Sequence, residues 1–84
     1  MQNIGIIEID VHGMTKVQAK KQIEDCIAKA SKSVYRIRVV HGYRGGTQLK
    51  DMVRKTFGGG KYPKVMRIEI GLNPGETDLV LKEL

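Results

Sequence analysis

The sequence predicts a two-layer α/β (α+β) sandwich, in which two helices cover one face of a four-stranded mixed sheet in the order βαβαββ. Four short segments alternate apolar and polar side chains, which is typical of strands buried on one face. Two longer segments repeat apolar residues at spacings of three and four, which is typical of amphipathic helices. Because each strand has only one apolar face, both helices are expected on the same side of the sheet.

The first strand and the first helix are separated by a short turn. Residues 6–12, IIEIDVH, alternate in polarity and predict a strand that is buried on one face. Gly13 ends this strand. Thr15 and Gln18 have the spacing of a capping box, in which the two side chains satisfy backbone N–H groups of the first helical turn. Apolar residues then recur at helical spacing, so we expect a helix over about residues 16–31.

The rest of the chain predicts a strand, a helix and two further strands. Residues 34–41 alternate as a strand, and Thr47 follows a glycine-rich turn as the expected N-cap of a helix that the glycines at 58–60 terminate. Residues 65–70 alternate again, and a final strand is expected over 78–84 after an Asn-Pro-Gly turn. The helical links predict parallel pairing of the first three strands, and the short last turn predicts antiparallel pairing of the fourth.

Composition and charge narrow the class of protein. Eighty-four residues provide one domain, expected to span residues 1–84, and Cys26 alone excludes a disulfide framework. The sequence has no signal-peptide pattern and no apolar run of the ~18 residues that a membrane span needs, so we expect a cytoplasmic protein without a membrane partner. The net charge of +6 favours a polyanionic partner such as nucleic acid, although simple solubility explains the same excess.

The polar face of the sheet is expected to stay open to solvent. Strand alternation assigns eight residues to this face: Glu8, Asp10, His12, Arg36, Arg38, Arg67, Glu69 and Lys82. Four of the eight are permanently cationic, which suits contact with a phosphate backbone. The alternative is a solvated face whose charges pair across strands, for example Glu8 with Arg36.

Two segments share one order of features, namely a strand, a histidine, a glycine and a helix capped by threonine. They run from Asp10 to Thr15 and from His41 to Thr47. In a parallel sheet both turns leave at the carboxyl ends of strands, where open α/β sheets bind ligands. Free backbone N–H groups at two helix starts, approached closely through glycines, favour a phosphate there. The sequence therefore predicts an anion-binding rim at this edge of the sheet.

Asp10 and His12 are the candidate catalytic pair at this rim. Residues two apart on a strand point the same way, with Cα atoms about 6.6 Å apart. A carboxylate at that spacing can orient an imidazole, which then serves as a general base toward a water or a ribose hydroxyl. The alternative is structural, with Asp10 accepting backbone N–H groups of the turn and His12 standing as a polar strand end.

Other polar residues near the two turns are weaker candidates. His41 has the parity of the buried strand positions, so we expect a structural histidine packed at the turn rather than a catalytic group. Tyr43 and Arg44 are expected either to contact bases and phosphates or to form an ordinary loop. No His or Cys spacing matches a zinc motif, and Cys26 lies on the apolar stripe of the first helix, so no metal ligand is predicted.

At these two turns the chain resembles the Smr domain, the small MutS-related module. The family's first motif reads Leu-Asp-Leu-His-Gly and is matched by Ile9-Asp10-Val11-His12-Gly13. Its second motif is a His-Gly-x-Gly type of turn before a helix, matched by His41-Gly42-Tyr43 and then Gly45-Gly46-Thr47. The likeness extends from about Ile7 to Leu81, and the order of the elements agrees. The two motifs together are fairly specific, whereas either alone is weak.

This resemblance implies a fold similar to the C-terminal domain of a translation initiation factor, and a domain that binds and nicks DNA or that binds or cleaves RNA. It implies catalytic roles for Asp10 and His12 and a backbone-binding loop at Gly42 and Gly46. The chain departs from the family at Arg44, where glycine is common. The expected nucleic-acid contacts are Gly13, Lys16, Arg36, Arg38, His41, Gly42, Tyr43, Arg44 and Gly46.

The expected function is a nucleic-acid-binding Smr-like domain with endonuclease activity. The alternative is a non-catalytic module that recognises structured or branched nucleic acid or a ribosomal surface, and a third hypothesis is a protein-interaction domain with a merely solubilising charge. The sequence leaves open the preference between DNA and RNA and a requirement for a divalent cation such as magnesium. It also leaves open a homodimer formed through an exposed edge strand.

Overall fold

A computed structural model describes residues 5–43 and 47–83 of the chain. The elements follow in the order β1 (Ile6–Asp10), α1 (Lys16–Lys29), β2 (Arg36–Val40), α2 (Gln48–Gly58), β3 (Arg67–Glu69) and β4 (Glu76–Val80). The predicted order βαβαββ and the two-layer α/β architecture are confirmed. No helix in the described ranges is long and apolar enough to cross a bilayer.

The four strands form one mixed sheet in the order β1-β2-β4-β3. β1 pairs in parallel with β2, while β4 lies between β2 and β3 and runs antiparallel to both. The prediction that the first three strands pair in parallel is therefore wrong for β3, which runs in the direction of β2 but forms no strand pairing with it. In the inner position residues 77–80 of β4 are all buried, whereas β3 at the edge has three residues and an exposed Met66 beside it.

The hydrophobic core lies between the sheet and the two helices. The buried apolar residues that form it come from every layer: Val11, Ala19, Ile23, Ile27, Val34, Ile37, Val39, Val53, Phe57, Val65 and Leu79. The predicted helix stripes supply Ala19 and Ile23 from α1 and Val53 and Phe57 from α2. Cys26 lies only half-buried at the margin of this core. Each strand thus turns one face to the helices, as the alternation predicts.

The start of α1 has the capping geometry that the sequence predicts. The Gln18 backbone N–H donates to Thr15 Oγ1 at 3.1 Å, and the Thr15 backbone N–H donates to Gln18 Oε1 at 3.1 Å. α2 begins differently, because the Thr47 side chain makes no cap bond and donates instead to Asp51 Oδ2 at 3.0 Å. The first turn of α1 is therefore capped by side-chain hydrogen bonds, whereas that of α2 has no side-chain cap bond from Thr47.

Several element ends differ from the predicted bounds for local reasons. β1 ends at Asp10 rather than residue 12, because the Asp10 carboxylate accepts the His12 backbone N–H and closes a turn. The last strand begins at Glu76 and ends at Val80, since pairing with β2 starts directly after the turn that ends at Gly75. α1 ends at Lys29, two residues before the predicted end.

Candidate functional site

Asp10 and His12 form a hydrogen-bonded pair at the end of β1. Asp10 Oδ1 lies 2.5 Å from His12 Nδ1 and also accepts the His12 backbone N–H at 3.0 Å. The ring contact first, and then the backbone N–H, lower the pKa of the Asp10 carboxyl below its ordinary value of 3.8. The pair therefore combines both alternatives that the sequence offers, since the carboxylate holds the turn and orients the ring.

The far side of the His12 ring is open to solvent. The His12 side chain is 68% exposed and that of Asp10 is 54% exposed. Because a carboxylate oxygen only accepts, His12 Nδ1 carries the proton, and the lone pair of the neutral ring is on Nε2. No group in the described ranges bonds Nε2. This nitrogen is free to accept a proton from a ligand at the rim.

The glycine turn after β2 lies directly beside His12. A Cβ atom placed on Gly42 would be 3.5 Å from the Cβ of His12. The Val11 N–H donates to the Val40 carbonyl at 2.9 Å, which extends the β1–β2 pairing to the two turns. Gly13 and Gly42 have φ angles of 80° and 78°, a region that glycine adopts at no steric cost. The structure thus brings the first motif and residues 41–43 of the second motif together at one edge of the sheet.

A third segment, the turn between β3 and β4, also reaches this edge. The Gly75 carbonyl accepts the N–H of His41 at 2.9 Å and that of Gly42 at 3.0 Å. A Cβ on Gly75 would lie 3.3 Å from Cδ1 of Tyr43, whose ring is 55% exposed. From the sequence alone, Asn73-Pro74-Gly75 predicts a turn and no role at the rim. The missing signal was the antiparallel position of β4 beside β2, which brings the start of β4 to the rim.

The second histidine has an interior position. His41 is 4% exposed, and its Nδ1 donates to the Gly42 carbonyl at 2.8 Å because a carbonyl oxygen only accepts. The Thr77 hydroxyl lies 2.9 Å from His41 Nε2, to which it donates, and its Oγ1 accepts a hydrogen bond from Arg54 Nε at 3.1 Å. No spacing in the sequence connects Thr77 or Arg54 with His41. Together they fix His41 under the glycine turn, with its ring inside the protein.

Two of the remaining predicted rim residues lie in the described part of the chain, and two lie outside it. Gly13, the last residue of the first motif, is exposed, and Lys16 is the exposed first residue of α1. Arg44 and Gly46 lie outside the described residues, so their predicted contacts with nucleic acid stay predictions. The described part of the rim therefore consists of the Asp10–His12 pair, the start of α1 and the turn at Gly42 and Tyr43.

The open sheet face is a network of charges paired across strands. Arg36 lies 2.7 Å from Asp78 and 2.8 Å from Glu69, and Arg38 lies 3.1 Å from Asp78. The predicted partner for Arg36, Glu8, instead stands opposite Arg38 in the β1–β2 register. Whether Arg36 and Arg38 contact nucleic acid stays a prediction, but both guanidinium groups already have carboxylate partners on this face.

This network lowers the pKa values of the Asp78 and Glu69 carboxyl groups. Burial raises the pKa of Asp78, but hydrogen bonds from Arg38 and Arg36 outweigh burial and hold it below the ordinary 3.8. Arg36 first, and then Arg67, lower the pKa of Glu69. Arg67 also pairs with Glu83 at the edge of the sheet. At neutral pH the carboxylates Asp78 and Glu69 are therefore ionised and paired with arginines of the same sheet face.

The described residues contain no ready cage for a metal ion. No group of three or more His, Cys, Asp or Glu side chains comes together within residues 5–43 and 47–83. At the rim, Asp10 supplies one carboxylate and already holds His12. Burial raises the pKa of the Cys26 thiol, which lies in the core margin away from this edge. A protein-built metal site does not fit the residues that the structure describes.

The structure is a mixed α/β domain with a histidine–aspartate pair and a glycine turn at the ends of two parallel strands. The chain belongs to the Smr domain family, since the sequence model of the Smr domain matches residues 9–71 and so spans both motifs. Smr domains are nucleic-acid-binding and nuclease-associated domains.

A solved structure agrees with this assignment at the level of the fold. The Smr domain of MutS2 from Thermus thermophilus superposes with a TM-score of 0.79 and 21% sequence identity, covering 92% of this chain and 99% of that domain. Comparison with curated proteins finds no significant match. The similarity in structure therefore supports the βαβαββ architecture, while the family assignment comes from the sequence match.

Proposed function

We propose that this chain binds nucleic acid along the carboxyl edge of β1 and β2 and cleaves a phosphodiester bond there, with His12 as the general base. One observation carries the proposal. The His12 ring is tied to Asp10 through Nδ1 and presents an unbonded Nε2 to solvent, next to the glycine turn at Gly42. An oriented imidazole with one free nitrogen at a ligand-binding edge is suited to proton transfer.

The chemistry requires one proton transfer at Nε2. His12 takes a proton from the attacking oxygen, which belongs to a water or to the 2′-hydroxyl of RNA, as that oxygen bonds to phosphorus. The P–O bond to the leaving oxygen breaks, the leaving oxygen takes up a proton from solvent water, and the His12 imidazolium returns its proton to solvent. Water attack yields a phosphate monoester and a hydroxyl, whereas 2′-hydroxyl attack yields a 2′,3′-cyclic phosphate and a 5′-hydroxyl. Asp10 stabilises the imidazolium that forms.

Binding at the rim relies on backbone donors and one aromatic ring. The free N–H groups at the start of α1, beside Gly13 and Lys16, favour a phosphate oxygen. Gly42 allows the backbone of a strand to approach His12 closely, because it carries no side chain. Tyr43 offers an exposed ring for stacking on an unpaired base. Arg44 and Gly46 complete this loop in the proposal as further phosphate contacts.

No step of the proposed reaction passes through a metal ion. No group of three or more His, Cys, Asp or Glu side chains comes together among the described residues, and the Asp10 carboxylate already accepts two hydrogen bonds from His12. A divalent cation such as magnesium, if required, would therefore come with the phosphates of the substrate. Comparing activity with and without chelator tests this point.

A second candidate function is binding without cleavage. It is favoured by the position of His41, whose buried ring leaves His12 as the exposed imidazole of the described rim. A single base then has no second imidazole to protonate the leaving oxygen. In this alternative the domain recognises structured or branched nucleic acid, and the Asp10–His12 pair shapes the turn.

The two functions are separated by one comparison of the parent chain with His12→Ala. Supercoiled plasmid and end-labelled RNA are incubated with each protein, with and without chelator, and binding is followed by fluorescence anisotropy. Loss of the general base is expected to reduce cleavage by about 10²–10⁴-fold while binding changes by only a few-fold. Equal cleavage by both proteins contradicts the role of His12. Binding without cleavage by the parent favours the second candidate.

A further inference from the structure

The strands do not contribute to the net positive charge of this protein. The four strands carry three arginines and five carboxylates, which gives the sheet a net charge of −2. The two helices carry seven cationic side chains and three carboxylates, which gives the helix layer a net charge of +4. The surplus of the whole chain, +6, therefore resides in the helices and the loops.

The three arginines of the sheet also form ion pairs with neighbouring carboxylates. Arg36 and Arg38 share Asp78, and Arg67 lies between Glu69 and Glu83. For each arginine, the hydrogen bond to a carboxylate is the main cause of a raised pKa, first from Asp78 for Arg36 and Arg38 and first from Glu83 for Arg67. A phosphate that approached this face would have to replace a bonded carboxylate at each arginine, at the cost of an existing ion pair.

The lysines of the helix layer have no such partners. In residues 5–43 and 47–83, no lysine nitrogen lies within 4.0 Å of a carboxylate oxygen. All the helix lysines except the half-buried Lys50 are exposed: Lys16, Lys20, Lys21, Lys29 and Lys55. These ammonium groups are free to replace the counterions of a polyanion.

The lysines nearest the rim lie on the side of α1 that faces α2. Lys16, Lys20 and Glu24 form one row at spacings of four residues. Glu24 accepts a hydrogen bond from Tyr62 at 2.5 Å, and the Tyr62 ring packs on Phe57 of α2 with centroids 4.7 Å apart. The row therefore points toward α2. Both helices begin at the edge that holds His12, so the row starts at the rim.

We infer that the phosphate backbone of a bound strand leaves the rim across the N-terminal halves of α1 and α2, where Lys16, Lys20 and Lys50 contact it, and not across the open sheet face. This inference rests on the proposed function and names its binding surface. The partner is a nucleic acid, because the surface offers unpaired point charges along a path rather than an apolar groove. The arginines of the sheet instead stabilise the sheet through ion pairs with its carboxylates.

Salt dependence of binding tests this surface. The variants Lys20→Gln and Lys50→Gln each remove one charge from the helix layer, and Arg38→Gln and Arg67→Gln each remove one charge from the sheet. Anisotropy of a labelled single strand and of its duplex is measured over a salt series. Each helix variant is expected to reduce the slope of log K against log salt by about 0.7 for the single strand and about 0.9 for the duplex. The sheet variants are expected to keep the parent slope.

Two further readouts keep the test decisive. Thermal unfolding by circular dichroism shows whether Arg38→Gln is folded, and Arg67→Gln, whose side chain is 43% exposed at the edge strand, serves as the second sheet control. Reduced slopes for the sheet variants with unchanged slopes for the helix variants overturn the inferred surface and leave the proposed function intact. A parent protein that binds neither oligonucleotide at low salt overturns the proposed function itself.

Discussion

Gly42 lies against His12, with 3.5 Å between the His12 Cβ and the position of a Cβ on Gly42. This contact joins the turn that follows β2 to the side chain that ends the first motif. The ring of His12 is otherwise exposed, and the Asp10 carboxylate holds it through Nδ1.

Gly42→Asn is expected to disturb the site more than the fold. Asparagine tolerates a positive φ better than most residues, but its side chain beyond Cβ would compete with the His12 ring for space. We expect a loss of about 1 kcal/mol or less in the free energy of unfolding and a fall of at least about tenfold in cleavage, because small displacements of a catalytic group are costly. Urea unfolding and single-turnover cleavage measure the two effects.

Gly60→Asn is the matched control for that variant. Gly60 has a φ of 85°, and a Cβ there would meet nothing within 4 Å. The control therefore has a similar backbone cost without a neighbour to displace. Equal losses of cleavage in the two variants would show that the contact with His12 has no functional weight.

Asp10→Asn is expected to suppress cleavage by changing the tautomer of His12. The asparagine amide can donate to Nδ1, which moves the ring proton to Nε2 and removes the lone pair that accepts the substrate proton. We expect a loss of about 10²–10⁴-fold in cleavage with little change in binding. Nitrogen chemical shifts of His12 report the tautomer directly. Glu8→Gln removes the same charge from the same exposed strand face and should leave both the shifts and the cleavage unchanged.

Asp78 is expected to make the fold sensitive to acid. Its folded-state pKa lies below the ordinary 3.8, so the stabilisation from its arginine partners is complete above that pH and is lost as the pH falls through the lower folded value. Asp78→Asn should lower the free energy of unfolding at neutral pH by about 1–3 kcal/mol, because two partly buried arginines lose a charged acceptor. It should also flatten the fall in stability as the pH drops below about 4.

Urea unfolding at a series of pH values tests this prediction, with Asp25→Asn as the control. Asp25 is exposed on α1 and has no ion pair in the described ranges. An equal effect of the two substitutions would contradict the assignment of Asp78 as the centre of the network.

Thr77→Val is expected to weaken the support of the glycine turn. The Thr77 side chain is fully buried, and its hydroxyl connects His41 to Arg54. Valine keeps the shape but leaves the buried His41 Nε2 without a partner, which costs about 1–3 kcal/mol in the free energy of unfolding. Thr56→Val on α2 is the control. Thr56 is half-buried and makes no side-chain hydrogen bond in the described ranges, so its change should stay within about 0.5 kcal/mol.

The sequence predicts the individual helices and strands of this fold better than it predicts which strands lie next to each other in the sheet. Strand alternation at Ile37 and Val39, the capping box at Thr15 and the βαβαββ order are local properties, and each agrees with the structure. The insertion of β4 between β2 and β3 is a long-range choice. It follows from the two-sided burial of residues 77–80, which alternation alone does not reveal.

The same distinction holds for the candidate site. Asp10 and His12 are two residues apart, so their pairing follows from strand geometry. The burial of His41 also follows from its parity. Its partners Thr77 and Arg54 come from β4 and α2, and no spacing in the sequence connects them. The pairing of Arg36 with Asp78 was missed for the same reason, since it depends on which strand lies next to β2.

The position of β4 has a consequence for how this chain reaches its native state. Because residues 76–80 occupy an interior place in the sheet, β3 has no hydrogen-bonded neighbour until they arrive. During synthesis the preceding three strands and both helices emerge first, and they can close the β1–β2 pair but not the sheet. A ribosome that stalls before residue 76 therefore holds a nascent chain with an exposed flank on β2, open to pairing with another polypeptide.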